Sequence, residues 1–265
     1  MTGRAPAPDH PIPAWTPGRA VAGVDGCPAG WIAVYRWPGT DRPPEAKVHA
    51  RFTEILADGN DPAVVGVDMP IGLPDRSGPG GRGPERLVRA FLGERQSSVF
   101  TVPSRAAVEA GIGLPDDAGY AAACRIAAET SEPPRRVSKQ CFYLFPKIRE
   151  IDALFGEQDL AGRVFEVHPE VAFWRLNGER AMPLPKKVKS RPNPPGLAER
   201  VDLLVRHGLP RALLEGPRPR GVGPDDLLDA AVVSLIAERI ARSEATPFPN
   251  PPGRDERGRP IAIWA

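Results

Sequence analysis

Cysteine and lysine are both scarce in this chain of 265 residues. Only Cys27, Cys124 and Cys141 occur, an odd number, widely spaced and with no Cys-x-x-Cys. The count excludes a disulfide scaffold and the spacing excludes a zinc knuckle. Reduced cysteines of a cytoplasmic protein are the expectation. The four histidines, His10, His49, His168 and His207, form no His-x-x-x-His pair, which argues against a zincin. No apolar run approaches the ~18 residues of a membrane span, so no membrane association is expected. Residues 1–17 carry no apolar core of the kind a secretory signal needs. A charge excess is missing too. Lys and Arg total 35 against 33 Asp and Glu, a net +2, so coating of nucleic acid by bulk charge explains little. No internal repeat is visible.

Glycine and proline are plentiful, 27 and 34 residues, which predicts long, stiff, irregular connections. Prolines at 6, 8, 11, 13 and 17 predict a disordered tail over residues 1–18. An apolar fraction of 41% supports one sizeable core, and a single domain is expected over 19–265.

Within that domain two buried strands are expected to end in an acid: Ala20 to Asp25, and Ala63 to Asp68. Trp31 to Tyr35 is expected to form a hairpin with the first, and Ala46 to Phe52 a third strand. Helical patterns follow at 85–91, 118–129 and 138–155, a stretch read as a helical insertion over about 75–160. Arg163 to His168 reads as another strand, Glu170 to Leu176 and Leu197 to His207 as helices, and Pro183 to Pro195 as a basic loop. Asp225 to Arg242 is the strongest helix. Residues 246–260 read as loop, and Ile261 to Trp264 as an edge strand. The order is an α/β layout with a mixed five-stranded sheet, strands 1–3 antiparallel and the rest parallel.

Acids at the exits of neighbouring buried strands are expensive unless a cation or donors meet them. Asp25 and Asp68 are expected side by side, where a divalent cation would relieve their repulsion. Asp226 and Asp229 share a face of the last helix. Capping accounts for Asp225 and Asp226, and less well for Asp229 inside the apolar stretch. Oxygen ligands favour Mg²⁺ or Mn²⁺ over zinc. Glu166 and His168, two apart on a strand, are expected on one face, as a further acid and a proton shuttle. A hydrogen-bonded structural histidine is the plainer alternative for His168.

Basic residues lie among aromatics in the insertion: Lys139, Lys147 and Arg149 beside Phe142, Tyr143 and Phe145. That mixture suits phosphate contact with base stacking, although aromatics at helical spacing are more often core. Lys186 and Lys187 stand out among only six lysines, and Ser98 is a candidate for phosphate oxygens.

Several blocks together resemble a family of proteins of unknown function regarded as nucleases with the RNase H-like fold. They are Gly23-Val24-Asp25-Gly26-Cys27 with Gly30-Trp31, and Val67-Asp68-Met69-Pro70-Ile71-Gly72-Leu73-Pro74. Next come Ser97-Ser98-Val99-Phe100, Pro103-Ser104-Arg105, Ser138-Lys139-Gln140 and Pro146-Lys147-Ile148-Arg149-Glu150. Phe165 to Glu170, Asp225 to Ala230 and Ile263-Trp264 complete the set. More distantly the acids are similar to those of RuvC-like resolvases. By that resemblance Asp25 is the first-strand acid, Asp68 the fourth-strand acid, and Asp226 and Asp229 the final-helix pair, all four metal ligands. Glu166 has no counterpart there. The resemblance implies a Mg²⁺- or Mn²⁺-dependent nuclease acting on DNA or RNA, and a homodimer. It adds Arg105 to the substrate-binding set of Lys139, Lys147, Arg149, Lys186, Lys187 and Ser98. Two alternatives remain: a non-catalytic nucleic-acid-binding or regulatory module on the same fold, and an actin-like or sugar-kinase-like ATPase. The second would need duplicated halves and Gly-rich phosphate turns, and neither is visible.

Overall fold

The computed structural model describes residues 16–265. Of the expected tail, residues 1–15 lie outside the described residues. Residues 16–18 form a turn in which the Gly18 N–H donates to the Pro38 carbonyl at 3.2 Å. The chain begins with an antiparallel hairpin, β1 (Val21–Cys27) and β2 (Gly30–Arg36), followed by β3 (Glu45–His49) on its outer edge. After α1 (Phe52–Leu56) comes β4 (Val64–Val67), which pairs parallel with β1. Four helices are then inserted: α2 (Gly83–Arg89), α3 (Arg105–Glu109), α4 (Asp116–Glu129) and α5 (Lys139–Glu157), with a 3-10 turn over Gly93–Ser98. Next is β5 (Val164–Glu166), parallel to β4, and α6 (Pro169–Leu176). A short hairpin, β6 (Lys187–Val188) and β7 (Arg191–Pro192), leads into α7 (Pro194–Arg206) and α8 (Arg211–Glu215). The chain closes with α9 (Pro224–Ala241), β8 (Pro247–Arg254) and β9 (Pro260–Trp264).

The main sheet has the order β3-β2-β1-β4-β5. It is the expected mixed five-stranded α/β sheet, with an RNase H-like topology and helices inserted between β4 and β5. Alternation along the strands divides the core between two faces. Val21, Ile32, Val34, Val64 and Phe165 pack under α9, while Ala22, Val24, Trp31, Tyr35, Val65 and Val67 pack toward α1 and α5.

Helix α9 is buried almost all round, from Leu227 to Ala241. Each buried Leu, Val or Ile contributes about 1.5–3 kcal/mol relative to exposure. Its backbone lies directly on β1 because Gly23 has no side chain. A Cβ there would stand 2.0 Å from the Ser234 amide nitrogen and 2.2 Å from the Ala230 carbonyl. That close approach carries the helix's first turns to the carboxyl ends of β1 and β4.

One expectation about the C-terminal stretch is corrected. Residues 246–260 are not all loop, because Pro247–Arg254 pairs with Pro260–Trp264 as a separate antiparallel hairpin. Prolines at 247, 249, 251 and 252 disguise the strand, since proline is tolerated only where the amide is not needed for pairing. Ile261 to Trp264 is the expected edge strand, and its partner is β8. Its Trp264 meets Phe165 edge-on at 5.2 Å. The basic loop also contains the β6–β7 hairpin, and the short helices α3 and α8 had no sequence expectation.

Candidate metal centre

The parallel register of β1 and β4 pairs Val24 with Val67, and the Asp68 N–H donates to the Val24 carbonyl at 2.9 Å. Asp25 and Asp68 are therefore neighbours at the strand exits, both on the face covered by α9. Asp229, in the second turn of α9, completes the group. One carboxylate oxygen from each of Asp25, Asp68 and Asp229 lies within 4.8 Å of the others. Asp25 and Asp229 are buried.

Three carboxylates this close cannot all ionise freely. Burial, followed by repulsion from Asp68 and Asp229, pushes the Asp25 carboxyl well above its usual range. Asp68 is pushed up to about 8 by burial and then by Asp229. Asp229 is raised to about 6 by burial, against the pull of Lys186. The Gly26 N–H donates to Asp25 Oδ1 at 2.7 Å, too little to offset the crowding.

Two of the four lysines expected to bind substrate are paired with acids of α9. Lys186 Nζ donates to Asp229 Oδ2, and Lys187 Nζ lies 2.5 Å from Asp225 Oδ2. Both are carried by the exposed β6–β7 hairpin. Lys186 faces Asp229, Glu170 and Asp25, which hold its ammonium charged.

In the sequence Glu170 reads only as a helix-opening residue, yet it belongs to this neighbourhood. It is buried, and its Oε1 accepts from Arg200 at 2.6 Å. Among the described residues its Oε2 has no hydrogen-bond partner, nor has Asp229 Oδ1 or His168 Nδ1. Its charge acts on Asp68, Asp229, Lys186 and His168. An acid following His-Pro at a helix start reads as a favourable first-turn residue, so only its burial marks it. Arg200, fully buried over the Phe173 ring, was missed for the same reason.

The remaining expected site residues divide. Asp226 is not in the three-aspartate group. Helix α9 starts at Pro224, so Asp226 falls at the third helical position, where its Oδ2 accepts the Gly223 N–H at 2.8 Å. Glu166 is also outside. It pairs with Val67 in the β4–β5 register, and Val67 faces the opposite side of the sheet from Asp25. Its two oxygens accept from Arg82 at 2.5 Å and from the Ile71 N–H at 2.8 Å. Arg105 is no free phosphate ligand: it is buried between Asp152 and Asp255.

His168 starts α6, with Nε2 3.3 Å from the Ser98 carbonyl, and burial lowers its pKa to about 4. Ser98 itself is exposed and donates to the Arg95 carbonyl at 2.7 Å. Lys147 donates to the Gly30 carbonyl, across the sheet from the aspartates but close enough to feel the Asp25 charge. Its stem crosses Gly26, where a Cβ would stand 2.7 Å from Lys147 Cδ, and its ammonium lies 4.5 Å from the centre of the Trp31 ring. Lys139 is exposed over the Tyr120 ring at 5.6 Å, and Arg149 donates to the Val108 carbonyl at 2.9 Å.

The donor set is all hard oxygen, and a buried acceptor of Asp229 is left unused. These residues fit a small divalent cation; the ion's identity is not fixed by them. Among the described residues no helix is long and apolar enough to cross a membrane. No curated protein and no solved structure matches the chain. One family model does, and it takes in all three aspartates and Glu170: over residues 23–254 the chain belongs to the family described as Protein of unknown function (DUF429).

Proposed function

We propose that this chain is a divalent-metal-dependent nuclease that hydrolyses phosphodiester bonds in DNA or RNA. The observation that carries this reading is the convergence of Asp25, Asp68 and Asp229 to within 4.8 Å at the carboxyl ends of two parallel strands of an RNase H-like sheet. Ligands of open α/β sheets collect at such strand ends.

Asp25, Asp68 and Asp229 would hold Mg²⁺ or Mn²⁺. When bound, that ion supplies charge neutralisation at phosphoryl oxygens and a more acidic water. The chain's own side chains supply the surroundings. Lys147, across the sheet but close enough to feel the Asp25 charge, supplies a cation that can meet a phosphate. Lys186 balances part of the negative charge until substrate and ion arrive, and Lys187 tethers the same hairpin. His168 is neutral at pH 7 because burial holds its pKa near 4. With its Nε2–H facing the Ser98 carbonyl, the neutral ring leaves Nδ1 as a hydrogen-bond acceptor that can orient a water beside the aspartates.

The test is a panel of labelled single-stranded, duplex and branched DNA and RNA, incubated with Mg²⁺, Mn²⁺ or EDTA. Cleavage that needs the ion and is lost in Asp25→Asn supports the reading. Equal cleavage by Asp25→Asn and wild type refutes the assignment. One observation favours a second reading, a non-catalytic nucleic-acid-binding module: the Lys186–Asp229 pair already places a cation in the carboxylate group. Such a module would bind nucleic acid equally in EDTA and Mg²⁺, and would cleave nothing.

A further inference from the structure

A narrow cleft lined by Asp68, Glu166, His168, Val99 and Phe100 opens beside the aspartates. Phe100 also lines a second cavity of about 220 Å³, with Thr101, Ser131, Arg135, Arg136 and Ser138 around it. The segment from Phe100 onward is therefore a shared wall, with the carboxylates on one side and this cavity on the other.

The cavity is electropositive by construction. Arg135 and Arg136 are both exposed, and neither guanidinium has a carboxylate partner among the described residues. Arg82, Arg105, Arg200 and Arg259, by contrast, are buried in ion pairs. A third arginine stands behind the wall: Arg89 donates to Thr101 Oγ1 at 3.2 Å, and its guanidinium feels the attraction of Glu85 and, more weakly, the repulsion of Arg135. The N-terminus of the 19-residue helix α5 opens on the same space, with both Ser138 and Cys141 in the lining. Its free amide ends add positive potential. Ser131 and Thr101 contribute hydroxyls.

Two exposed arginines side by side at a concave space, neither paired with an acid, call for an anion. The volume narrows the choice. Cavities for whole cofactors or drug-sized ligands run to about 300–1,000 Å³, so this one suits a phosphate with its attached sugar and not a dinucleotide.

We propose that the Arg135–Arg136 cavity is a phosphate-anchoring subsite for a nucleic-acid strand whose next portion runs past Phe100 to the aspartates. The substrate named here rests on the nuclease reading; the anion site does not. Phosphate contacts of this kind set the register of a strand without reading its bases.

The experiment compares the full chain with the Arg135→Ala/Arg136→Ala variant, using fluorescence anisotropy of a labelled 12-nucleotide single strand in EDTA. The expected loss is at least tenfold in affinity at low salt. The slope of log K against log salt should fall by about 1.4, two contacts at about 0.7 each. Mn²⁺ affinity and thermal midpoint should match wild type, and Arg135→Lys/Arg136→Lys should recover the salt slope. An unchanged affinity and slope in the alanine variant overturns the proposal. A second arm titrates inorganic phosphate. If phosphate raises the thermal midpoint of wild type but not of the alanine variant, while the strand binds neither, the strand assignment is overturned and a free-phosphate site replaces it. Failure of the nuclease reading shows separately, as strand binding that depends on Arg135 and Arg136 without metal-dependent cleavage.

Discussion

Lys186 stands nearest the carboxylate group, so replacing it is the most direct perturbation. Lys186→Met keeps most of the stem and removes the ammonium. Asp229, 2% exposed, then keeps one oxygen without a partner, as before, and loses the cation on the other. Breaking a buried pair from one side costs about 3–5 kcal/mol. Lys186 is 23% exposed at its side chain, so water returns part of this and about 3 kcal/mol is expected. At ~2–4 °C per kcal/mol for a domain of this size, the metal-free variant should melt about 6–12 °C below wild type.

The pH dependence of that loss is fixed in sign. Without Lys186 the Asp229 carboxyl rises further above its unfolded value, so the folded state holds a proton that the unfolded chain releases. The deficit is small at pH 5 and grows as pH climbs through the folded pKa. Mn²⁺ should reverse it, because no ammonium then has to be displaced. At one hundred times the dissociation constant the ion returns about 2.7 kcal/mol. Differential scanning fluorimetry at pH 5, 6, 7 and 8, in EDTA and in Mn²⁺, together with a calorimetric Mn²⁺ titration, reads both effects. Equal melting at every pH and equal Mn²⁺ affinity would refute the claim that Lys186 balances the aspartates.

Wild type in EDTA should itself lose stability between pH 5 and pH 9. Asp68 titrates near 8 when folded and in the ordinary acid range when unfolded, so its contribution is present at low pH and fades as pH rises; saturating Mn²⁺ should flatten the profile. Glu166→Ala should cost about 1–3 kcal/mol, because buried Arg82 loses one of its two carboxylate partners but keeps Glu85 and the Ile71 and Gly72 carbonyls, yet leave Mn²⁺ affinity unchanged, as calorimetry on the folded protein would show. Gly23→Ala should cost at least about 1–3 kcal/mol, because the new Cβ meets the α9 backbone, and should weaken Mn²⁺ binding by moving Asp229 away from Asp25. A Gly23→Ala protein with wild-type melting and metal affinity would contradict the packing described for β1 and α9.

The strands bearing Asp25 and Asp68 were legible because a continuous apolar run closed by an acid is a strong local signal. Helix α9 was legible because it is apolar on nearly every side. Glu166 was not, because a face depends on register. Sharing alternation with His168 says nothing about which side of the sheet both take, and the β4 pairing turns Glu166 toward Arg82. Lys186 and Lys187 were conspicuous by rarity, but rarity carries no distance. Only the hairpin geometry aims them at Asp229 and Asp225. Strand β8 was hidden by its prolines, and Arg105 by the separation in sequence of Asp152 and Asp255.

The lysine in the carboxylate group does not remove the case for a metal, and the charge balance shows why. Lys186 brings one positive charge to Asp25, Asp68 and Asp229, with Glu170 acting from behind. With that ammonium already in place, Asp68 still titrates near 8 and Asp229 near 6. Both lie well above an ordinary aspartate, because burial and mutual repulsion together outweigh the one ammonium. Protons make up the difference in the metal-free protein. A divalent ion would do so at higher charge and with a denser set of oxygen contacts than an ammonium can make. Asp229 Oδ1 and Glu170 Oε2, buried and unpaired, are the acceptors the lysine leaves unsatisfied. Binding of the ion should therefore release protons near pH 7. Calorimetric titrations in buffers of different ionisation enthalpy would count them, and a count of zero would mean that the aspartates are already fully ionised and balanced by Lys186 alone.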